Sequence, residues 1–407
     1  MIESIIRQPV TRAAATPLDP PVEYHQLRED KPVHRVRFPN GLEGWLVTRF
    51  EEGSAVFGDP RFTARRQRHD TLPGEVDEAG QDAPFDPVFV MMDEPDHSLY
   101  RRLLSGRFTP KSVQTRLQPY IDQIVEQHLD AIAAGPETFD FVHAMSLPIP
   151  CLVICELLGV PYADRDGFHQ ATETLMDMGN PRAERDRGAH WLIDYITNLI
   201  AEKKRSNATG DLLAELIAAQ RADASFVTDR QLIGMGVLLL FAGHDTTAAM
   251  LGLSTYTLLT HPEQRRHLVE HAGEPAKVGA MVEELMRYLT IVQFGLGRVA
   301  LEDLEIGGTQ IGKGDLVVVA MNAANRDPRV FTDPDIPDFE RKMTRHLAFG
   351  YGVHQCLGQN VARAELKTVL PRLFQRFPDL RLAVPADEVP MDTTGTNYGV
   401  KQLLVTR

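Results

Sequence analysis

The sequence predicts a mostly helical protein with small β-sheets, an α+β fold built as one large domain around a long central helix. Three features predict it. Apolar-periodic segments run almost without a break from about Leu99 to Phe377, and no Gly/Ser- or Pro-rich linker divides them. A capping box, Thr228-Asp-Arg-Gln231, opens a helix that continues to about Thr260, where His261-Pro262 stops it. At about 1.5 Å per residue that helix is ~50 Å long, and its apolar stretch reads as buried nearly all round, so it crosses the core. Strand signals, by contrast, are short and scattered: His34–Val47 around Asn40-Gly41, Leu304–Val319, and the tail Met391–Thr406. With 407 residues and 43% hydrophobic content the chain has ample material for a large core.

In chain order, residues 1–33 are Pro-rich and are expected to wrap the surface as an irregular segment, leaving 34–407 as the folded domain. The His34–Val47 hairpin follows, with Trp45 as a core residue, and the acidic stretch Pro73–Asp86 reads as a flexible loop. Pro95-Asp96-His97 begins a helix with Pro near its first turn. Further helices are expected over 115–135, 147–160 and 163–205, the last interrupted between Ala171 and Arg187 by Met176, Met178, Gly179, Asn180 and Pro181. Those methionines suit either a movable lid or core filling. Pro275–Tyr288 is a helix with Val278, Met281, Val282 and Leu285 on one face, Ile291–Ala300 is a short strand, and 361–377 closes the helical part.

Charge and cysteine usage exclude several functions. The net charge of −13 argues against a nucleic-acid or anionic-membrane surface. Three cysteines are too few for a disulfide framework and fit a reducing cytoplasm; Cys151 and Cys155, four apart in an apolar segment, read as small core residues. The N-terminus Met-Ile-Glu-Ser-Ile-Ile-Arg lacks the pattern of a signal peptide or anchor. The longest apolar run, Met235–Gly243, is far below the ~20 residues of a membrane span. The expectation is a cytoplasmic monomer.

The most informative stretch is Phe349-Gly-Tyr-Gly-Val-His-Gln-Cys-Leu-Gly358. Glycines flank a single cysteine, which allows sharp turns and close backbone approach. A helix start follows, so Cys356 sits at a helix N-terminus, where free N–H groups and the dipole favour a thiolate. An inert buried Cys, or a Cys nucleophile with His354 as base, are the plainer readings. The spacing Phe349, Gly352, His354, Cys356, Gly358 resembles the heme-binding loop of the cytochrome P-450 family of heme-thiolate monooxygenases, in its soluble bacterial three-component form. A second anomaly lies in the central helix, at Ala242-Gly243-His244-Asp245-Thr246-Thr247. Gly, Asp and Thr are poor mid-helix residues, an unpartnered buried Asp is costly, and a local rule broken in the core points to function.

The resemblance spans about 34–407 and implies a single domain with the long helix over heme b. It implies Cys356 as the iron ligand, Phe349, Gly350 and Gly358 as cofactor-binding loop residues, and His97, Arg101, Arg298 and His354 as donors to the heme propionates. In the central helix, which bulges over the iron in that family, it implies Gly243 making room for oxygen and Thr246 with Asp245 delivering protons, while His244 faces away. It implies a structural network of Glu284, Arg287 and Arg341. A pocket lined by Val90, Leu239, Ala242, Val292, Phe294, Gly295 and Asn397 is mostly apolar, so the expected substrate is a sizeable lipophilic molecule such as a polyketide, macrolide or terpenoid/steroid. The expected chemistry is hydroxylation or epoxidation with O2, using electrons from NAD(P)H through ferredoxin reductase and ferredoxin. Arg101, Arg102, Arg107, Lys111 and Arg363 form a candidate basic patch for an acidic ferredoxin. A heme-binding scaffold or sensor without turnover is the alternative.

Overall fold

The capping box forms as the sequence demands: Gln231 N–H donates to Thr228 Oγ1 at 3.2 Å, and Thr228 N–H to Gln231 Oε1 at 2.7 Å. From it the central helix runs unbroken over Asp229–Thr260 in the computed structural model, which describes residues 5–65, 89–176, 180–222, 227–342 and 345–407. The helix is α-helical at every residue through 242–247, without the expected bulge. Among the described residues it is the one helix long and apolar enough to cross a membrane, yet it is seated in the core. Small residues set its approach to its neighbours. A Cβ at Gly236 would lie 2.8 Å from Ile196 of the helix Arg182–Ser206, and one at Gly243 would lie 2.9 Å from Ile154 of the helix Pro148–Leu158.

Two helical layers complete this half. Gln118–Ala134 and Gln359–Arg376 pack on each other, and the latter also meets Pro275–Leu289 and the central helix. Arg165–Met176 and Arg182–Ser206 bracket the expected interruption; Met178 and Gly179 lie outside the described residues, as does the acidic Pro73–Asp86 stretch. Cys151 and Cys155 are buried core residues. Helices at Phe50–Gly58, Leu212–Ala222 and Pro262–Glu270 add to those expected.

The main sheet lies at one side. Ile6–Arg7, Val33–Arg37, Glu43–Val47, Leu316–Val319, Leu296–Ala300 and Phe62–Thr63 line up in that order. Val33–Arg37 and Glu43–Val47 are the hairpin expected around Asn40-Gly41, in register Arg35 to Trp45. The N-terminal expectation needs correcting. Residues 1–33 are not irregular throughout: Ile6–Arg7 adds a parallel strand beside Val36–Arg37, and Glu23–Asp30 is a helix. Tyr24 on that helix is fully buried and donates to Pro9 O at 3.0 Å, so the segment is part of the domain's core. The tail also departs from a simple hairpin. Met391–Asp392 pairs with Gly399–Val400, but Leu404–Thr406 crosses to a separate sheet between Arg381–Leu382 and Thr138–Asp140.

Candidate active site

The cysteine loop is shaped by its backbone. Gly350 and Gly352 take φ of +68° and +74°, a region that disfavours side chains. A Cβ on Gly352 would also meet Phe57 O at 2.7 Å. Cys356 N–H donates to Phe349 O at 2.8 Å, closing the loop just before the helix that begins at Gln359. The backbone amides of Gly358 and Gln359 favour the thiolate form of the sulfur. Burial pushes the thiol up, and these amides with Arg101 and Arg363 pull it back toward the thiolate. The sulfur sits deep within the protein yet is open to the space in front of it.

Beside that space two histidines and two arginines converge. The rings of His97 and His354 lie 4.2 Å apart. His354 is held down at about 4, first by burial and then by Arg298, with His97 and Arg101 acting the same way. Burial also lowers His97 and Arg101. His97 Nε2 and His354 Nδ1 are buried with no partner among the described residues. Such a cluster is unfavourable by itself, since buried polar atoms want partners and like charges repel. A group carrying carboxylates would satisfy it. Together, a sulfur beside backbone amides and a cradle of two arginines and two histidines, each histidine with an unpartnered nitrogen, suit an iron porphyrin with its propionates.

On the central helix Thr246 Oγ1 donates to Ala242 O at 2.7 Å, and Asn397 Nδ2 donates to Asp245 Oδ2 at 2.8 Å. Burial pushes the Asp245 carboxyl above the usual range, and the Asn397 amide opposes it. His244 is buried and meets Phe168 edge-on, 6.1 Å between ring centres. Gly243 departs from its expected role, because its missing side chain is filled by Ile154; the small residue facing open space is Ala242. Gly295 departs likewise. With φ +80° and Val319 O only 2.4 Å from a would-be Cβ, it serves the close pairing of two strands and not the pocket. Leu239 is buried, Val90 is 42% exposed, Val292 bridges to Asn397, and Phe294 O accepts from Gln8 at 3.1 Å.

Glu284, Arg287 and Arg341 do meet. Arg287 donates to both Glu284 oxygens at 2.8 and 2.7 Å, and Arg341 Nε to Oε1 at 3.1 Å. The residue before Glu284, Glu283, forms a second clamp that the sequence did not reveal. It takes Arg363 at 2.5 and 2.8 Å and His346 at 3.0 Å. Arg363 in turn lies over the Phe349 ring at 4.5 Å, tying the clamp to the cysteine loop. Burial works against the Glu283 carboxylate, but Arg363 and His346 outweigh it and hold it down at about 2. A depressed carboxyl adds stability above its ordinary value and loses it as pH falls toward about 2. Glu283→Gln is therefore expected to cost on the order of 2 kcal/mol at neutral pH, a figure reduced for partial exposure, and to flatten acid unfolding below about pH 4.5. A pH series of urea unfolding curves checks this.

The basic patch shrinks. Arg363 is held by Glu283, and Arg107 pairs with Glu215 and with Gly210 O, while Arg101 is half-buried near the sulfur. Arg102 and Lys111 stay exposed.

Comparison with known proteins agrees with this geometry. The family model described as Cytochrome P450 matches residues 278–402. The chain is 40% identical to cytochrome P450-SU2 of Streptomyces griseolus, over 97% of this chain and 95% of that protein. It is 41% identical to pentalenic acid synthase of Streptomyces avermitilis, over 96% and 95%. Among solved structures, CYP105P1 in complex with filipin I superposes with a TM-score of 0.88 at 38% identity, covering 99% of each chain. GfsF superposes with a TM-score of 0.88 at 37% identity, covering 99% of this chain and all of the other. Identity of this level over nearly the whole length, on a matching fold and a glycine-framed cysteine, makes this chain a member of the cytochrome P450 family, a heme-binding monooxygenase.

Proposed function

We propose that this monooxygenase hydroxylates a sizeable lipophilic molecule of the polyketide, macrolide or terpenoid/steroid kind, or epoxidises one that presents a double bond. Electrons come from NAD(P)H through ferredoxin reductase and ferredoxin, and the protein works as a monomer in the cytoplasm. The mostly apolar wall of Leu239, Ala242, Val292 and Phe294 supports the substrate class. So do relatives whose names refer to pentalenic acid and filipin. Arg102 and Lys111 are what remains of a docking surface for an acidic ferredoxin.

The net reaction is RH + O2 + 2 H⁺ + 2 electrons giving ROH + H2O. Heme, when bound, supplies the redox chemistry at iron. Cys356 would hold it through its sulfur, which burial pushes toward the thiol and the Gly358 and Gln359 amides draw back toward the thiolate. His97, Arg101, Arg298 and His354 would hold its propionates, whose charge would satisfy the orphaned His97 Nε2 and His354 Nδ1. Phe349, Gly350 and Gly358 shape the loop around the ligand. Asp245 and Thr246 bring in the two protons: the carboxylate takes a proton from solvent and passes it by way of the hydroxyl, then returns to its ionised form.

The observation that carries this reading is the carboxylate–hydroxyl pair on adjacent residues of the central helix, beside the open face at Ala242. Thr246→Ala tests it. The variant is expected to go on consuming NAD(P)H but to release peroxide, with product per NAD(P)H down at least about tenfold. Full coupling in that variant would contradict the relay. Titrating the holoenzyme with a panel of lipophiles and following the Soret band identifies the substrate class.

A further inference from the structure

A carboxylate that passes protons inside a core needs a fixed orientation and a reason to stay ionised. Asp245 obtains both from the far end of the chain. Asn397 Nδ2 donates to Asp245 Oδ2 at 2.8 Å, across 152 positions of sequence. Among the described residues no other side chain or backbone group donates to this carboxylate, so Oδ1 is left without a protein donor.

The amide is not on a loose loop. Asn397 forms a bridge with Val292. Its neighbours are sewn to the same stretch, which precedes the strand Leu296–Ala300 and is not itself the strand expected there: Gln293 N–H to Thr396 O at 3.1 Å, Tyr398 N–H to Ile291 O at 2.7 Å, and Gln293 Nε2 to Gly395 O at 2.6 Å. Asp392 Oδ1 closes the turn from the other side, accepting from Thr394 N at 3.0 Å and Gly395 N at 3.2 Å. Gly399 then seats the chain on the central helix, where a Cβ would be 3.3 Å from that of Ala249, one turn beyond Asp245. The turn is thus anchored on both sides of the hydrogen bond it makes.

We propose that Asn397 is a positioning residue for proton delivery: by occupying Oδ2 it aims the Asp245 carboxylate and leaves Oδ1 as the oxygen that takes up and releases the proton. The proposal rests on the reading of Asp245 as relay acid. The charge balance around the group is simple. Burial pushes the carboxyl up, the Asn397 amide holds it down, and Asp392 is the charged group among the described residues that pushes it further up. Twice in each turnover the carboxylate gains a proton from solvent at Oδ1 and loses it toward Thr246, so Asp245 ends unchanged. The two electrons are those of NAD(P)H.

The test uses holoenzyme carrying Asn397→Leu, Asn397→Asp or Asn397→Gln. The readout is the infrared band of the Asp245 carboxyl, assigned by its loss in Asp245→Asn and followed against pH. In N397L the midpoint is expected to rise by about one pH unit, the worth of one hydrogen bond to a charged acceptor. In the isosteric N397D it rises further, because a like charge replaces the donor. N397Q falls between parent and N397L. The pH profile of product per NAD(P)H moves with the infrared midpoint in each case. Midpoints unchanged in N397L and N397D overturn the proposal, as does a pure loss of substrate affinity with the profile in place. If N397L does not fold, N397D supplies the same readout. Full coupling in D245N removes the relay reading itself, whereas uncoupled D245N with unshifted Asn397 variants removes the role of Asn397 alone.

Discussion

Replacing Cys356 with Ser is expected to abolish turnover while leaving the fold in place. The loop around position 356 is held by its backbone, through the Cys356 N–H to Phe349 O bond and the left-handed turns at Gly350 and Gly352, so a serine fits the same frame. What is lost is the soft anion. A hydroxyl ionises far less readily than a thiol, and the Gly358 and Gln359 amides that favour a thiolate have no comparable anion to bind. Reduced, CO-treated C356S should lack the red-shifted Soret band of thiolate-bound iron, and product should fall to background. The circular dichroism of the variant should match the parent. Pigment and turnover indistinguishable from the parent would refute Cys356 as the ligand.

The second large effect is on stability. Glu284, itself 1% exposed, accepts from Arg287 twice, from Arg341, and from the backbone N–H of Asp338 at 2.9 Å. Removing one partner of such a group leaves the others charged and buried. Glu284→Ala is expected to cost about 3–5 kcal/mol, a large share of the ~5–15 kcal/mol that holds a typical domain together. The damage reaches the site, because Glu283 on the same helix holds Arg363 over Phe349. Urea unfolding should show the loss, and heme should wash out of E284A more readily than out of the parent. Glu284→Gln keeps an acceptor but gives up the charge, so it should fall between. An unchanged midpoint in E284A would show that the cluster is decorative.

Much of this architecture was legible where the signal is local. The Thr228–Gln231 capping box and the His261-Pro262 stop lie within a few residues of the boundaries they set, and the central helix begins and ends there. The Glu284–Arg287 pair was visible as a helical i,i+3 spacing, and Arg341 followed only from resemblance. What escaped depends on neighbours distant in sequence. Residues 1–33 looked irregular because prolines dominate their composition, yet Val36–Arg37 offers a strand edge to Ile6–Arg7. Gly243 was expected to make room for oxygen and Gly295 to line the pocket, while the space each leaves is taken by Ile154 and by the backbone of Val319. Glu283 is one position from a recognised motif, but Arg363 is 80 residues on and no spacing rule links them.

The pairing of 291–293 with 395–398 has a practical consequence for hybrid enzymes. The support of Asn397 beside the central helix is a composite of two stretches 102 positions apart, as the Gln293–Gly395 contact shows. Exchanging tails between relatives to alter selectivity would split that composite. A chimera that imports a foreign C-terminus should import its matching partner at Ile291–Gln293 as well, or the residue arriving at position 397 will lack the backbone it pairs with.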